Sequence, residues 1–213
     1  MSRSAWHGAG GPEDWDRHAS LYSRQLWLER ASVRTALALL GARGDERVLD
    51  AGTGTGEVLR QLGRVHARPR AVTAVDFSVG MLASLPPLPC GWCAQLCDLR
   101  ALPHASGSFD AVIASYVLHL LASCDLPVVL DELRRVLRPG GRLVTVTPAL
   151  PPRGPGRALA AVLERAARSA PARLGGLHAL DPRAALSAAG FTLAAARWSL
   201  RGYPSLCVLG TLR

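Results

Sequence analysis

Lysine and asparagine are absent from this 213-residue chain, and Ile113 is its single isoleucine. All 25 basic residues are therefore arginine, and the formal charge is +9. Such a charge ordinarily raises nucleic acid as a partner. Here the missing Lys and Asn and the single Ile mark a GC-rich coding sequence that favours Arg, Ala, Gly and Pro, so no nucleic-acid partner is expected. No apolar run is long enough to span a bilayer, which excludes membrane insertion through a helix. Residues 1–11 are polar and glycine-rich and lack the apolar centre of a secretory leader. A disordered N-terminus and a cytoplasmic protein are expected.

Cysteine is scarce and odd in number: Cys90, Cys93, Cys97, Cys124 and Cys207. Without an export signal, that count argues against a disulfide framework. Cys90-Gly91-Trp92-Cys93 has the spacing of a redox pair or a zinc clip. However, Cys93 and Cys97 fall in a predicted strand, and only His104 is near enough in sequence to serve as a fourth ligand. Core thiols and no metal are expected.

What the chain does contain is apolar substance, 49% of its residues, enough for one domain with a full core over residues 12–213. Its segments are N-terminal helices at 12–46, a nucleoside-binding core at 47–147 and a tail at 148–213. The tail carries nine arginines against Glu164 and Asp181. That excess reads either as a solvated face or as attraction for an anionic acceptor, with Arg153, Arg157 and Arg201 the first residues to consider.

Residues 48–56 concentrate the information. An apolar strand, Val48-Leu49, meets Asp50, and Gly52, Gly54 and Gly56 follow at alternate positions before a helix from Glu57. Glycines so placed turn the backbone sharply and admit a ligand against the main chain. A second strand, Ala71–Val75, ends at Asp76, 20 positions after Gly56, where a ribose-binding acid is usual in a βαβ nucleoside site. The pattern is not G-x-G-x-x-G, and an acid directly before the loop does not suit a pyrophosphate.

Strands alternate with helices along the rest of the core: Trp92–Cys97, Phe109–Ser115, a helix at Asp125–Leu137 and a strand at Arg142–Thr147. Alternation predicts a Rossmann-like, doubly wound α/β sheet with helices on both faces. In the tail, helices are expected at about 157–170 and 181–189. Strands Phe191–Leu200 and Ser205–Leu212 follow, joined too closely for anything but a hairpin, so the last of seven strands is antiparallel.

Four stretches in this order resemble the class I S-adenosylmethionine-dependent methyltransferases, in particular the small-molecule group with a short tail hairpin. They are Val48–Gly56, Ala74–Leu82, Cys97–Val112 and Leu133–Leu143. The resemblance implies S-adenosylmethionine as cofactor and in-line methyl transfer to a small-molecule acceptor. It implies that Asp50 holds the cofactor's ammonium over a floor of Gly52, Thr53, Gly54 and Gly56. Asp76 takes the ribose hydroxyls, Phe77 and Met81 flank the adenine, Asp98 and Leu99 meet its amino group and ring, and Ser115 lies beside the methionine portion. Tyr22 would close the site, and His119, just after the fourth strand, would act as a base for a protic acceptor. The stretch Ser115-Tyr116-Val117-Leu118-His119 differs from the Gly-Leu-Arg-Asn type of the demethylmenaquinone branch, which points away from a quinone ring. The Asn/Asp-Pro-Pro-Tyr sequence of DNA amino-methyltransferases is missing. A catalytically silent cofactor-binding protein of the same fold is the alternative, and the oligomeric state is open.

Overall fold

The computed structural model describes residues 11–16, 26–151 and 178–213. The expected disorder of the N-terminus, Tyr22, and the helix at 157–170 with Arg153 and Arg157 lie outside the described residues.

Seven strands form one sheet: β1 (Arg47–Ala51), β2 (Ala71–Asp76), β3 (Trp92–Leu96), β4 (Phe109–Ser115), β5 (Leu137–Pro148), β6 (Thr192–Ser199) and β7 (Ser205–Thr211), in the order β3-β2-β1-β4-β5-β7-β6. β1 pairs in parallel with β2 and β4, as do β2 with β3 and β4 with β5. β7 is antiparallel to both β5 and β6, so the hairpin inserts its second strand between β5 and β6.

Period-two alternation divides the core between the two faces of this sheet. Leu49, Val75 and Val112 face one side with Val129, Leu130, Leu133 and Val136 of helix α4 (Asp125–Val136) and Leu186 of helix α5 (Arg183–Ala188). Val48, Val72, Ile113 and Val144 face the other. There they pack on Val33, Ala36, Leu37 and Leu40 of helix α1 (Arg30–Leu40) and on Val58, Leu59 and Leu62 of helix α2 (Glu57–Leu62). The 3-1-3 spacing on α1 is one helical stripe. Helices thus cover both faces, as alternation predicted. Helix α3 (Val79–Ala83) follows β2, and a helical turn at 12–16 precedes α1. Among the described residues, no helix is long and apolar enough to cross a membrane.

Two local expectations are corrected. Residues 138–141, which fall between the predicted helix at Asp125–Leu137 and the predicted strand at Arg142–Thr147, do not separate the two. β5 begins at Leu137 and absorbs the glycines through a register shift opposite Phe109 and Ala111, with the amide of Gly140 donating to Leu212 at 2.9 Å. The cysteines of the C-x-x-C stretch are not core thiols. β3 is an edge strand whose inner face is filled by Trp92, so Cys90 and Cys93 are exposed, Cys97 is half-buried, and Cys207 is buried.

Candidate active site

The glycine loop is held open by its own backbone. The amides of Gly52 and Thr53 both donate to the carbonyl of Val75 at 2.9 Å, pinning the end of β1 to the end of β2. Gly52, Gly54 and Gly56 have φ of 72°, 54° and 87°, a region that strains any side chain. A Cβ on Gly52 would lie 2.6 Å from Cγ2 of Val117, so the residue is also sterically fixed.

Asp50 lies beneath this loop with no exposed surface. The Thr53 hydroxyl donates to its Oδ2 at 2.6 Å, while Oδ1 has no protein partner among the described residues. Burial raises its pKa to about 7, against the lowering effect of Thr53. Asp76 accepts from the amides of Gly54 at 2.8 Å and Ser78 at 3.0 Å. Burial moves its pKa up despite those bonds.

Ser78 caps α3, accepting from the Met81 amide at 3.1 Å and donating to Oδ1 of Asp16 at 2.5 Å. The Gly80 amide donates to the same oxygen at 2.8 Å. Asp16 thereby clamps the 12–16 turn onto α3 and seats Trp15 against Met81, beside Phe77 and Leu120.

These elements line a cleft at the carboxyl ends of β1, β2 and β4, the position at which open α/β sheets bind ligands. Gly52, Thr53, Gly54, Asp76, Phe77, Met81, Leu99 and Ser115 line it, so the structure brings these predicted residues together. Asp50 stands behind the wall, and Gly56 lies at the N-terminus of α2. Asp98 is turned away into an ion pair with Arg100, 2.7 Å from Nη2. His119 is buried, edge-on to Tyr116 with ring centroids 6.3 Å apart, and does not line the cleft. Burial, with the neighbouring His178, holds its pKa down at about 3, so the ring is neutral.

Several wall residues were not foreseen. Trp15, Glu29 and Glu57 sit on helical faces whose spacing alone does not mark them. Glu57 is buried, with Gln61 donating to Oε1 at 2.9 Å and Arg30 3.6 Å away, while Oε2 has no protein partner among the described residues. Tyr116 combines a buried ring with φ of 54°, the one positive value on a non-glycine among the described residues. Its hydroxyl lies 2.6 Å from that of Ser205, which donates in turn to the Tyr203 carbonyl at 2.8 Å.

The glycine loop and Asp76 lie within residues 48–141, which match the family model described as "Methyltransferase domain". Residues 48–141 carry a methyltransferase domain, and the chain has the fold of the class I S-adenosylmethionine-dependent methyltransferases. The chain is 40% identical over 136 residues to the demethylmenaquinone methyltransferase of Beutenbergia cavernae, covering 63% of the chain and 54% of the relative. It is 34% identical over 181 residues to the malonyl-[acyl-carrier protein] O-methyltransferase of Erwinia pyrifoliae, covering 83% of the chain and 66% of the relative. The matches thus span about half to two thirds of these relatives' own lengths. A crystal structure of a SAM-dependent methyltransferase from Aquifex aeolicus superposes with a TM-score of 0.67 at 17% identity, covering 93% of the chain and 98% of the neighbour.

The cleft fits S-adenosylmethionine. A sulfonium cation bearing an ammonium and a diol calls for carboxylates and apolar faces. The wall supplies Asp76, Glu57 with an unpaired oxygen, the Ser115 hydroxyl, and Phe77, Met81 and Leu99.

Proposed function

We propose that this chain methylates a small-molecule acceptor held at the β4 end of the cleft. The observation that carries this reading is the Asp76 carboxylate, fixed by two backbone amides at the end of β2 and lining the cleft beside Gly54. In that position it would accept from both ribose hydroxyls. Phe77, Met81 and Leu99 would enclose the adenine, and Gly52 to Gly54 and Ser115 would lie along the methionine portion. Glu57, which lines the cleft, suits the ammonium better than Asp50, which does not. Asp50 would act through Thr53, holding the loop.

The cofactor supplies an activated methyl group. The protein's part is to hold the acceptor in line with it and to exclude water. Trp15, clamped through Asp16, would form the lid over the adenine side. Asp98 and His119 take no contact in this reading, and Tyr22 stays a candidate closing residue outside the described chain. The expected anionic acceptor draws no support from the described wall, in which no arginine appears; Arg201 is exposed in the hairpin turn. The five free thiols suit a cytoplasmic location.

Incubation with methyl-labelled S-adenosylmethionine and a metabolite extract tests the reading. Extract-dependent formation of S-adenosylhomocysteine supports it. Cofactor binding without turnover in any extract would favour the silent alternative.

A further inference from the structure

Glu57 lines the cleft with only half of its carboxylate paired. It is the first residue of α2, directly after the glycine loop, and is 5% exposed. One oxygen, Oε1, accepts from the Gln61 side-chain amide at 2.9 Å and lies 3.6 Å from Nε of Arg30. The other, Oε2, is buried and has no hydrogen-bond partner among the described residues.

Gln61 does more than occupy Oε1. Its amide nitrogen also donates to the Arg30 carbonyl at 3.0 Å, at the start of α1. Both of its hydrogens are therefore committed, one to each helix. This bridge fixes the rotation of the Glu57 carboxylate. Arg30 and Gln61 line a second groove, between α1 and α2, and Glu57 is the residue that this groove shares with the cleft. With Oε1 held toward Gln61 and Arg30, Oε2 is the oxygen left for the cleft.

A purely structural ion pair does not account for this arrangement. Burying a carboxylate oxygen without a partner costs free energy, and an arginine serving only as a counter-ion commonly takes both oxygens in a fork. The unpaired oxygen calls for a donor that the ligand brings, and a carboxylate favours a cationic one. S-adenosylmethionine carries two positive groups. Its sulfonium has no hydrogen to donate, whereas its α-ammonium has three.

We propose that Gln61 is a positioning residue for cofactor recognition: it holds the Glu57 carboxylate so that Oε2 takes the α-ammonium of S-adenosylmethionine. The proposal rests on the methyltransferase reading. It makes the cofactor's amino group a requirement for tight binding, and Gln61, which does not line the cleft, sets that requirement from behind the wall.

Titration calorimetry with two ligands tests it. S-adenosylhomocysteine keeps the ammonium without the sulfonium, and its deaminated analogue has a hydrogen in place of the α-amino group. The wild-type chain should bind S-adenosylhomocysteine at least about tenfold more tightly than the analogue, the size of one charge-assisted hydrogen bond. Glu57→Gln should cut that preference at least about fivefold. Gln61→Met, which keeps the bulk and removes both donors, should cut it at least about threefold while the Kd for the analogue stays within about twofold. The preference compares two ligands on one folded protein, so a general loss of stability does not imitate the effect. Gln61 is half-buried, and Gln61→Ser makes the same comparison if Gln61→Met does not fold. Equal binding of the two ligands by the wild type overturns the proposal, as does an undiminished preference in Glu57→Gln or in the Gln61 variant. A wild-type chain that binds neither ligand overturns the methyltransferase reading instead.

Discussion

The carboxylate of Asp76 accepts from the amide of Gly54 at 2.8 Å, locking the end of β2 to the glycine loop after β1. The same acid reaches the Ser78 amide at the start of α3. One side chain therefore sets the relative positions of loop, strand and helix around the cleft, besides lining it.

The loop's conformation should be as demanding as its contacts. Gly52→Ala places a methyl 2.6 Å from Val117 at φ of 72°. It is expected to cost about 2 kcal/mol from overpacking and backbone strain together. Adding Val117→Ala removes the clash but not the strain. Denaturant unfolding should therefore show the double variant recovering part of the loss, a non-additivity that independent sites would not give.

Asp50 should make stability fall as pH rises. Its pKa is raised from the ordinary carboxylate value of 3.8 to about 7 by burial. The folded state therefore binds the proton more tightly than the unfolded chain. The contribution is complete below the unfolded value and is lost as pH climbs through about 7. The shift corresponds to at most about 4 kcal/mol. In Asp50→Asn the thermal midpoint should lose that slope between about pH 4 and pH 7; an identical slope would remove Asp50 as its cause.

Tyr116 is expected to hold the acceptor-side wall to the hairpin. Because the Ser205 hydroxyl donates to Tyr203, the phenol must donate to Ser205. Tyr116→Phe should cost about 1 kcal/mol. Ser205→Ala removes the acceptor of the buried phenol, leaving it only the Ser32 hydroxyl, and should cost more. Unfolding midpoints in the reverse order would contradict this assignment of donor and acceptor.

Much of the sheet was legible in the sequence because short apolar runs ending in acids or glycines recur at βα spacing. The loop at 50–56 and Asp76 were legible for a further reason: backbone geometry demands glycine there, and the strand end demands a carboxylate. Glu29, Glu57 and Trp15 were not. Each belongs to a helical segment, and the sequence does not say which helical face closes over a cleft until Asp16 clamps onto α3 and Gly202 onto Leu28. Asp98 is the opposite case. Its position after β3 suits an adenine contact, but Arg100 two residues on takes the carboxylate. Cys93 was misplaced because strand propensity does not reveal which strand is the edge.

The lid should matter to the cofactor more than to the fold. Asp16→Ala removes the acceptor for the Ser78 hydroxyl and the Gly80 amide and frees Trp15 from Met81. The Kd for S-adenosylhomocysteine should rise while the unfolding midpoint of the unliganded chain changes little. Equal Kd values would mean that the 12–16 turn does not cover the ligand.

The central claim is that the cleft beside Gly54 and Asp76 binds S-adenosylmethionine, and titration calorimetry of wild-type and Asp76→Asn tests it most directly. The wild-type chain should bind with a Kd on the order of micromolar. The variant, with its fold verified by melting, should lose two charge-assisted hydrogen bonds, about 3 kcal/mol, and bind roughly a hundredfold more weakly. Absence of heat in the wild type, or the same Kd in a folded variant, would contradict the account.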